Sequence, residues 1–158
     1  GYQNGGNWFG IMSAVYAIAA VVWSLVLSKI PANKNKTGYA LSLFLGAIGF
    51  TSVFFIHSQY LLIGSFILIG ISWAGMMAYP FIMVTNALPG DHMGTYLGLF
   101  NGSICLPQIV ASVASFALFP ALGSHFPSMI LVSGILMLIG AVSVGFINEI
   151  HSNPVDAQ

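Results

Sequence analysis

The chain has 158 residues, of which 58% are hydrophobic and only 4% are charged, and its formal net charge is zero. Soluble globular domains carry about 25% charged residues, so this composition excludes a soluble domain, a disordered chain and a coiled coil. The sequence contains no Arg, which excludes the basic footprint of a nucleic-acid-binding protein. With a mean hydropathy of +0.94, the composition indicates an integral membrane protein.

Five long apolar segments follow one another along the chain. They cover residues 8–27, 39–56, 61–87, 95–122 and 128–147. A helix crosses the hydrocarbon with about 20 apolar residues at about 1.5 Å each, whereas barrel strands would be short and alternating. We therefore expect residues 1–158 to form an all-α, polytopic membrane bundle of five transmembrane helices.

The connections between these segments are short and contain turn-forming residues. Residues 28–38 hold all three lysines of the chain, residues 57–60 form a tight turn, and residues 88–94 and 123–127 contain Gly and Pro. Asp91 is well placed to cap the fourth helix. Connections this short make sequential helices antiparallel neighbours and leave no room for a soluble domain.

The lysines also predict the orientation of the helices. Cytoplasmic loops carry the excess of Lys and Arg, so we expect residues 28–38 and the C-terminus to be cytoplasmic. Residues 1–7 contain neither an initiating Met nor a positive segment, and they do not resemble a signal peptide. We expect them to arrive from an earlier helix, which would make the chain the C-terminal part of a longer protein.

Small residues recur at steps of three and four on three segments, which predicts close helix packing. The stripes are Gly6, Gly10, Ser13, Ala17, Ala20 and Ser24 on the first segment, Ser42, Gly46 and Gly49 on the second, and Gly134, Ala141 and Gly145 on the fifth.

The fourth segment carries a polar stripe instead. Its members at helical spacing are Gly94, Gly98, Asn101, Cys105, Gln108, Ser112 and Ser115. Burying an unpaired amide costs about 2–7 kcal/mol, so Asn101 and Gln108 need partner groups, water or a polar ligand. An interhelical hydrogen bond and a ligand contact both satisfy this requirement. Pro107 removes a backbone hydrogen bond to Ser103, and a bend beside an amide favours a cavity.

The third segment pairs aromatic residues with a proline. Ser72, Trp73, Met76, Tyr79, Met83 and Asn86 approximate one broad face, and Pro80 follows Tyr79. Trp73 and Tyr79 lie well inside the segment although such residues prefer the membrane interface. They could provide a stacking surface and hydrogen bonds for a sugar-like ligand, or pack in the core with their polar atoms bonded to a neighbouring helix.

Several kinds of chemistry are missing from the sequence. No Asp, Glu or Lys lies within the apolar core of a segment, although driven transporters usually carry such a residue. The four His show no metal-ligand spacing, and neither a phosphate-binding loop nor a readable nucleophile motif occurs. We expect no enzyme activity, no metal and no cofactor.

Residues 70–112 resemble the tenth and eleventh helices of the major facilitator superfamily. The match rests on GISWA at 70–74, the pair Tyr79-Pro80, MGTYLGLFN at 93–101 and PQI at 107–109, with NGGNWFG at 4–10 resembling the start of the eighth helix. The sequence is most similar to the sucrose and maltose proton symporters and their bacterial relatives. The glycoside–pentoside–hexuronide symporters are similar too.

This resemblance implies that the chain provides helices eight to twelve of a twelve-helix transporter, a partial major-facilitator fold. The N-terminal half and the seventh helix would lie outside this sequence. In such transporters the helices matching the first, third and fourth segments line the central cavity, and the second and fifth are peripheral. The loop 28–38 keeps positive charge but lacks the Asp and Arg of the family's basic loop, which puts a conformational latch there in doubt.

The resulting hypothesis is secondary active transport of a sugar or glycoside with a proton, by alternating access, in the cell membrane of a bacterium. Gln108 would hydrogen-bond the substrate, with Asn101 and Ser112 on the same stripe, Trp73 or Tyr79 would stack on it, and Pro80 and Pro107 would mark bends. The partners would be the sugar, the proton, lipid and the N-terminal half of the transporter. The alternatives are a membrane scaffold or anchor subunit, and a facilitator without ion coupling.

Overall fold

The chain forms five long helices in a computed structural model that describes residues 2–87 and 92–147. The helices are α1 (Tyr2–Leu27), α2 (Asn35–Phe55), α3 (Gln59–Ala87), α4 (Met93–Ala121) and α5 (Phe126–Ser143). Short 3-10 turns precede α2 at Ala32–Lys34 and follow α5 at Val144–Phe146. The described residues contain no strand, and the prediction of an all-α bundle is confirmed.

All five helices are long and apolar enough to cross a membrane. Several helices extend beyond the apolar segments: α1 begins at Tyr2 and not at residue 8, and α2 begins at Asn35 and not at residue 39. An apolar run marks where a helix meets lipid, whereas backbone hydrogen bonding continues into the polar flank. The predicted segment limits therefore underestimate these two helices at their N-terminal ends.

The core of the bundle is built around α2 and α3. Helix α2 packs extensively against α3 and α5, and α3 also packs against α1. Helix α4 makes only a few contacts, with α3 and α5, and none of its residues is buried. The structure therefore consists of a packed group of four helices and one helix at its side.

Glycine allows the closest contacts in the packed group. A Cβ atom at Gly46 of α2 would overlap Ser72 of α3 and would lie 2.7 Å from the Met137 sulfur of α5. A Cβ atom at Gly70 of α3 would overlap the Tyr16 carbonyl of α1. Since lipid gives no hydrophobic drive for helices to associate, such close approach is what holds them together. The predicted packing role of the α2 stripe is confirmed.

The stripe on α1 behaves differently. A Cβ atom at Gly6 or Gly10 would meet no atom within 4 Å, and the same holds for Gly145 near the end of the described chain. The prediction that Gly6 and Gly10 pack against a helix is wrong for the described structure. The reason is that α1 meets α3 further along, around Tyr16, where the small residue that permits the contact belongs to α3.

A left-handed turn joins α4 to α5. Gly123 has φ of 73° and follows the last residues of α4, where its N–H donates to the Pro120 carbonyl. The N–H of Ser124 donates to the Phe119 carbonyl at 2.9 Å. This pair of bonds is the Schellman ending of a helix, which favours Gly at the left-handed position. The turn reverses the chain immediately before Pro127 in the first turn of α5.

Candidate functional site

The predicted polar stripe lies on the least covered helix of the structure. Asn101, Gln108 and Ser112 of α4 are all exposed. The Ser112 hydroxyl donates to the Gln108 backbone carbonyl at 2.8 Å, so its hydrogen is engaged within the helix. The side-chain amides of Asn101 and Gln108 are the polar groups of this stripe that remain open toward the surroundings of α4.

Two prolines lie inside α4, and neither ends it. The helix is continuous from Met93 to Ala121 through Pro107 and Pro120. Because Pro107 has no N–H, the Ser103 carbonyl loses its helical donor one turn earlier. The free carbonyl and the Gln108 amide follow each other along the same part of α4. This region therefore combines a locally weakened helix with an exposed amide.

Trp73 and Tyr79 point to different surroundings. The Trp73 side chain is 46% exposed, whereas Tyr79 is only 1% exposed. Tyr79 lies two turns beyond Ser72, which is also buried, and both contact α2 at its glycines. Trp73 is rotated by about 100° from Ser72 because each residue turns a helix by that angle. The prediction that Trp73 and Tyr79 share one face of the helix is wrong.

Tyr79 is covered by residues of α2. Its hydroxyl lies against the Gly38 Cα, and its ring centroid is 5.7 Å from that of Tyr39. A solute has no access to the Tyr79 ring in this arrangement. Trp73 is the aromatic residue of the predicted pair that is open to a ligand.

The described residues do not close the central cavity that the third and fourth helices are expected to line. Helix α4 contacts α3 only sparsely, and Gln108 stays exposed. Trp73 and Gln108 are thus both accessible, but the five helices do not wall them in together.

The described helices do enclose a groove that the sequence did not predict. It has a volume of about 270 Å³ and lies among α1, α2, α3 and α5. The residues that line it are Phe9, Ser13, Tyr16, Phe50, Val53, Phe66, Ile69 and Ile130. Its wall is almost entirely apolar, so it suits an apolar chain far better than a sugar. Aliphatic and aromatic residues are common on every helix here, and no sequence signal sets these apart.

Lys36 has a structural role that its position in the sequence does not reveal. Its ammonium group donates to the carbonyls of Gly145 and Ile147, at 2.7 Å each. These carbonyls end the 3-10 turn after α5, where helical partners run out and a positive charge is favourable. Lys36 therefore joins the first turn of α2 to the end of α5.

Within residues 2–87 and 92–147, no three His, Cys, Asp or Glu side chains lie close enough together to hold a metal ion. His92 precedes α4 without a side-chain capping bond. Asp91, which was expected to cap this helix, lies outside the described residues.

A comparison with models of protein families matches residues 3–156 of the chain to the family described as Major Facilitator Superfamily. This match covers all five membrane-spanning helices. A search of curated proteins found no match. A search of solved structures found none either.

Proposed function

The chain belongs to the major facilitator superfamily, whose members transport solutes across membranes, and from this premise we propose that its substrate is a sugar or glycoside moved together with a proton. The chain is a multi-pass membrane protein of a transporter family. The proposal adds the class of substrate, which Gln108 and Trp73 support, and the coupling ion, which rests on the resemblance to the proton symporters.

The exposed amide of Gln108 carries the proposal. An amide on a membrane-spanning helix cannot remain against lipid without a cost of about 2–7 kcal/mol. Gln108 follows Pro107 directly and lies on the polar stripe with Asn101 and Ser112. A polyhydroxylated solute offers the donors and acceptors that this stripe requires. A site built to pair hydroxyls also rejects analogues that lack them, because its own groups would then stay unpaired.

Trp73 provides the second kind of contact in this proposal. Its indole is 46% exposed on α3, inside the membrane-spanning part of that helix. The apolar face of a sugar ring packs well on an indole, and the indole N–H can donate to a hydroxyl. The sequence around it, GISWA at 70–74, is part of the resemblance to the sucrose and maltose symporters.

Proton coupling requires a group that these helices do not carry. The acidic residues of the sequence are Asp91, Glu149 and Asp156, and none of the five described membrane-spanning helices contains an Asp or Glu. We place the coupling carboxylate in further helices of the same transporter, where membrane-embedded acids commonly relay protons. Those helices would also cover α4 and complete the cavity around Gln108.

Transport would proceed by rocking of two helical halves around a site near the middle of the membrane. Pro107 in α4 provides a weakened turn next to the amide. The lysines of residues 28–38 support an orientation with the C-terminus in the cytoplasm. The substrate would then meet Gln108 and Trp73 from alternate sides of the membrane.

The proposal is tested by the uptake of labelled disaccharides into vesicles that contain the full-length transporter, with and without a pH gradient. We expect accumulation only with the gradient. The same assay with Gln108→Leu should show at least about a tenfold loss of uptake. This is the effect expected when a neutral hydrogen bond to the substrate is lost and its partner group stays unpaired. Gln59→Leu, the same change at the exposed start of α3, is the matched control and should keep full uptake.

Other outcomes of the uptake assay would lead to a different function or a different site. Uptake that does not respond to the gradient would indicate a facilitator. Absence of uptake for every disaccharide, with the protein correctly inserted, would favour a scaffold or anchor subunit, for which the uncovered surface of α4 would be the binding surface. Normal uptake by Gln108→Leu would remove Gln108 from the site.

A further inference from the structure

Tyr79 is the one described residue whose buried side-chain oxygen has no hydrogen-bond partner. The residue is 1% exposed, at the end of the bundle where α2 begins and α3 ends. An unsatisfied buried hydroxyl is rare in native structures, and it calls for an explanation.

A polar side chain of α2 close to this contact is already engaged. The Ser42 hydroxyl, one turn along α2 from Gly38, donates to the Gly38 carbonyl at 2.8 Å and accepts from Trp23 Nε1 at 3.0 Å. The Tyr79 hydroxyl faces the Gly38 Cα, which offers neither donor nor acceptor. Burial at this contact therefore leaves the hydroxyl unpaired as long as α2 and α3 stay packed together.

The opposite end of the same helix pair carries a hydrogen bond between the two helices. The hydroxyls of Ser52 in α2 and Ser65 in α3 bond each other at 2.7 Å. Ser52 also bonds the Gly49 carbonyl at 2.7 Å. The α2–α3 contact is thus tied by hydrogen bonds at one end and holds an unsatisfied group at the other.

Two further features determine which helix can move at the Tyr79 end. Pro80 removes the backbone hydrogen bond to the Met76 carbonyl, so α3 is weakened next to Tyr79. On the α2 side, Lys36 fixes the first turn to the end of α5. The end of α3 can therefore bend while the beginning of α2 stays attached to its neighbour.

We infer that the Tyr79–Gly38 contact is where α3 separates from α2 during the transport cycle, with the Ser52–Ser65 end remaining closed. This inference rests on the proposed transport function, which requires more than one conformation. In the separated arrangement the Tyr79 hydroxyl binds water. The free-energy cost of an unpaired hydroxyl therefore applies to the packed arrangement only. A group whose free energy differs between two conformations shifts the ratio of the two.

Tyr79→Phe tests this inference because it removes the hydroxyl and keeps the ring. The variant should shift the ratio of packed to separated molecules toward the packed form by about tenfold, the usual scale for one unsatisfied buried group. Tyr39→Phe removes the same atom from the half-buried ring beside it and should leave the ratio unchanged. Gly38→Ala should shift the ratio the other way, since its methyl group would overlap the Tyr79 hydroxyl.

The ratio is measured by pulsed electron paramagnetic resonance on the full-length transporter with spin labels on cysteines at positions 34 and 81, in a Cys105→Ala background. Lys34 and Phe81 are exposed and flank the contact. We expect two distances in the otherwise unchanged protein and enrichment of the shorter one in Tyr79→Phe. An unchanged distribution, or enrichment of the longer distance, would overturn the inference.

The experiments distinguish failure of this inference, the hinge at the Tyr79–Gly38 contact, from failure of the proposed transport function. A single short distance in a protein that still accumulates sugar would exclude the hinge and leave transport intact. Two distances that respond to Tyr79→Phe, in a protein that takes up no disaccharide, would support the hinge and contradict the proposed substrate. A lower thermal stability of Tyr79→Phe than of Tyr39→Phe would show that the hydroxyl has a partner, which would also overturn the inference.

Discussion

Helices α2 and α4 are similarly apolar, yet α2 is packed between two neighbours and α4 is almost uncovered. Helix α2 buries Ser42, Gly46 and Gly49 against two neighbours, whereas α4 buries none of its residues. On α2 the stripe is small, and it allows backbones to approach. On α4 the stripe carries two amides, which need polar partners. The comparison shows that a stripe of small residues alone can hold two helices in close contact, as on α2, whereas a stripe that includes amides needs polar partners.

The largest effect should come from filling the glycine contact of α2. Gly46→Leu would place a side chain where Ser72 and Met137 already lie. Overpacking costs about 1–3 kcal/mol where neighbours can shift, and more where backbones must separate. We expect most of the purified protein to aggregate or to lose several degrees of thermal stability in detergent. Gly98→Leu on α4, where no atom lies within 4 Å of an added Cβ, is the control.

That comparison fails if the two leucine variants behave alike. Equal tolerance would mean that α2 is not held by close approach at Gly46. Equal loss would mean that an added leucine is harmful even where the described helices leave room for it, so the loss would not report the Gly46 contact.

A smaller loss should follow removal of the Trp73 indole. Trp73→Leu keeps an apolar side chain on the exposed side of α3 but removes the stacking surface and the N–H donor. Such aromatic contacts are worth about 0.5–1.5 kcal/mol beyond the area they bury. We expect the substrate concentration for half-maximal uptake to rise about three- to tenfold, with insertion unchanged. Phe81→Leu, at a similarly exposed position of α3, should leave uptake as it was, and an equal effect of both variants would argue against a contact at Trp73.

Replacing Lys36 should weaken the bundle by about 1 kcal/mol. Lys36→Met keeps the aliphatic part of the side chain but loses both bonds to the end of α5. Bonds from charged donors contribute about 1.5–3 kcal/mol, and partial exposure reduces that value. The unfolding temperature should fall by a few degrees relative to Lys34→Met. If the two variants unfold alike, the bonds of Lys36 add nothing to stability.

The smallest effect concerns the hydroxyl pair Ser52–Ser65. Interhelical hydrogen bonds in membrane proteins average about 0.6 kcal/mol, so each alanine variant should be only slightly less stable. A double-mutant cycle of Ser52→Ala and Ser65→Ala measures the coupling directly. A coupling of about 0.6 kcal/mol would fit the 2.7 Å contact, whereas zero coupling would show that the pair does not hold this end of α2 and α3.

The sequence predicted the helices because lipid leaves few alternatives. A backbone in hydrocarbon must satisfy its own hydrogen bonds, so five apolar runs become five helices. The packing role of Gly46 also followed from the sequence, since small residues are the usual way for membrane helices to meet.

The sequence fails to predict the roles of residues that depend on how the helices pack against one another. Trp73 and Tyr79 were assigned to one broad face, but the side that α2 covers includes Tyr79 and excludes Trp73. Lys36 bonds residues 109 and 111 positions away, a pairing that no local pattern contains. The unsatisfied hydroxyl of Tyr79 likewise depends on Gly38 of α2, a neighbour that no local pattern contains.

The most direct test of whether the α4 stripe faces a polar path uses the native Cys105. This exposed thiol lies on the stripe three residues before Gln108. The measurement is its rate of reaction with a charged thiol reagent in membranes that contain the full-length transporter. Val110→Cys in a Cys105→Ser background, rotated by about 140° around the helix, provides the comparison. We predict rapid reaction at Cys105, slowed by the transported sugar, and slow reaction at position 110. An unreactive Cys105, or equal rates unaffected by sugar, would contradict the account.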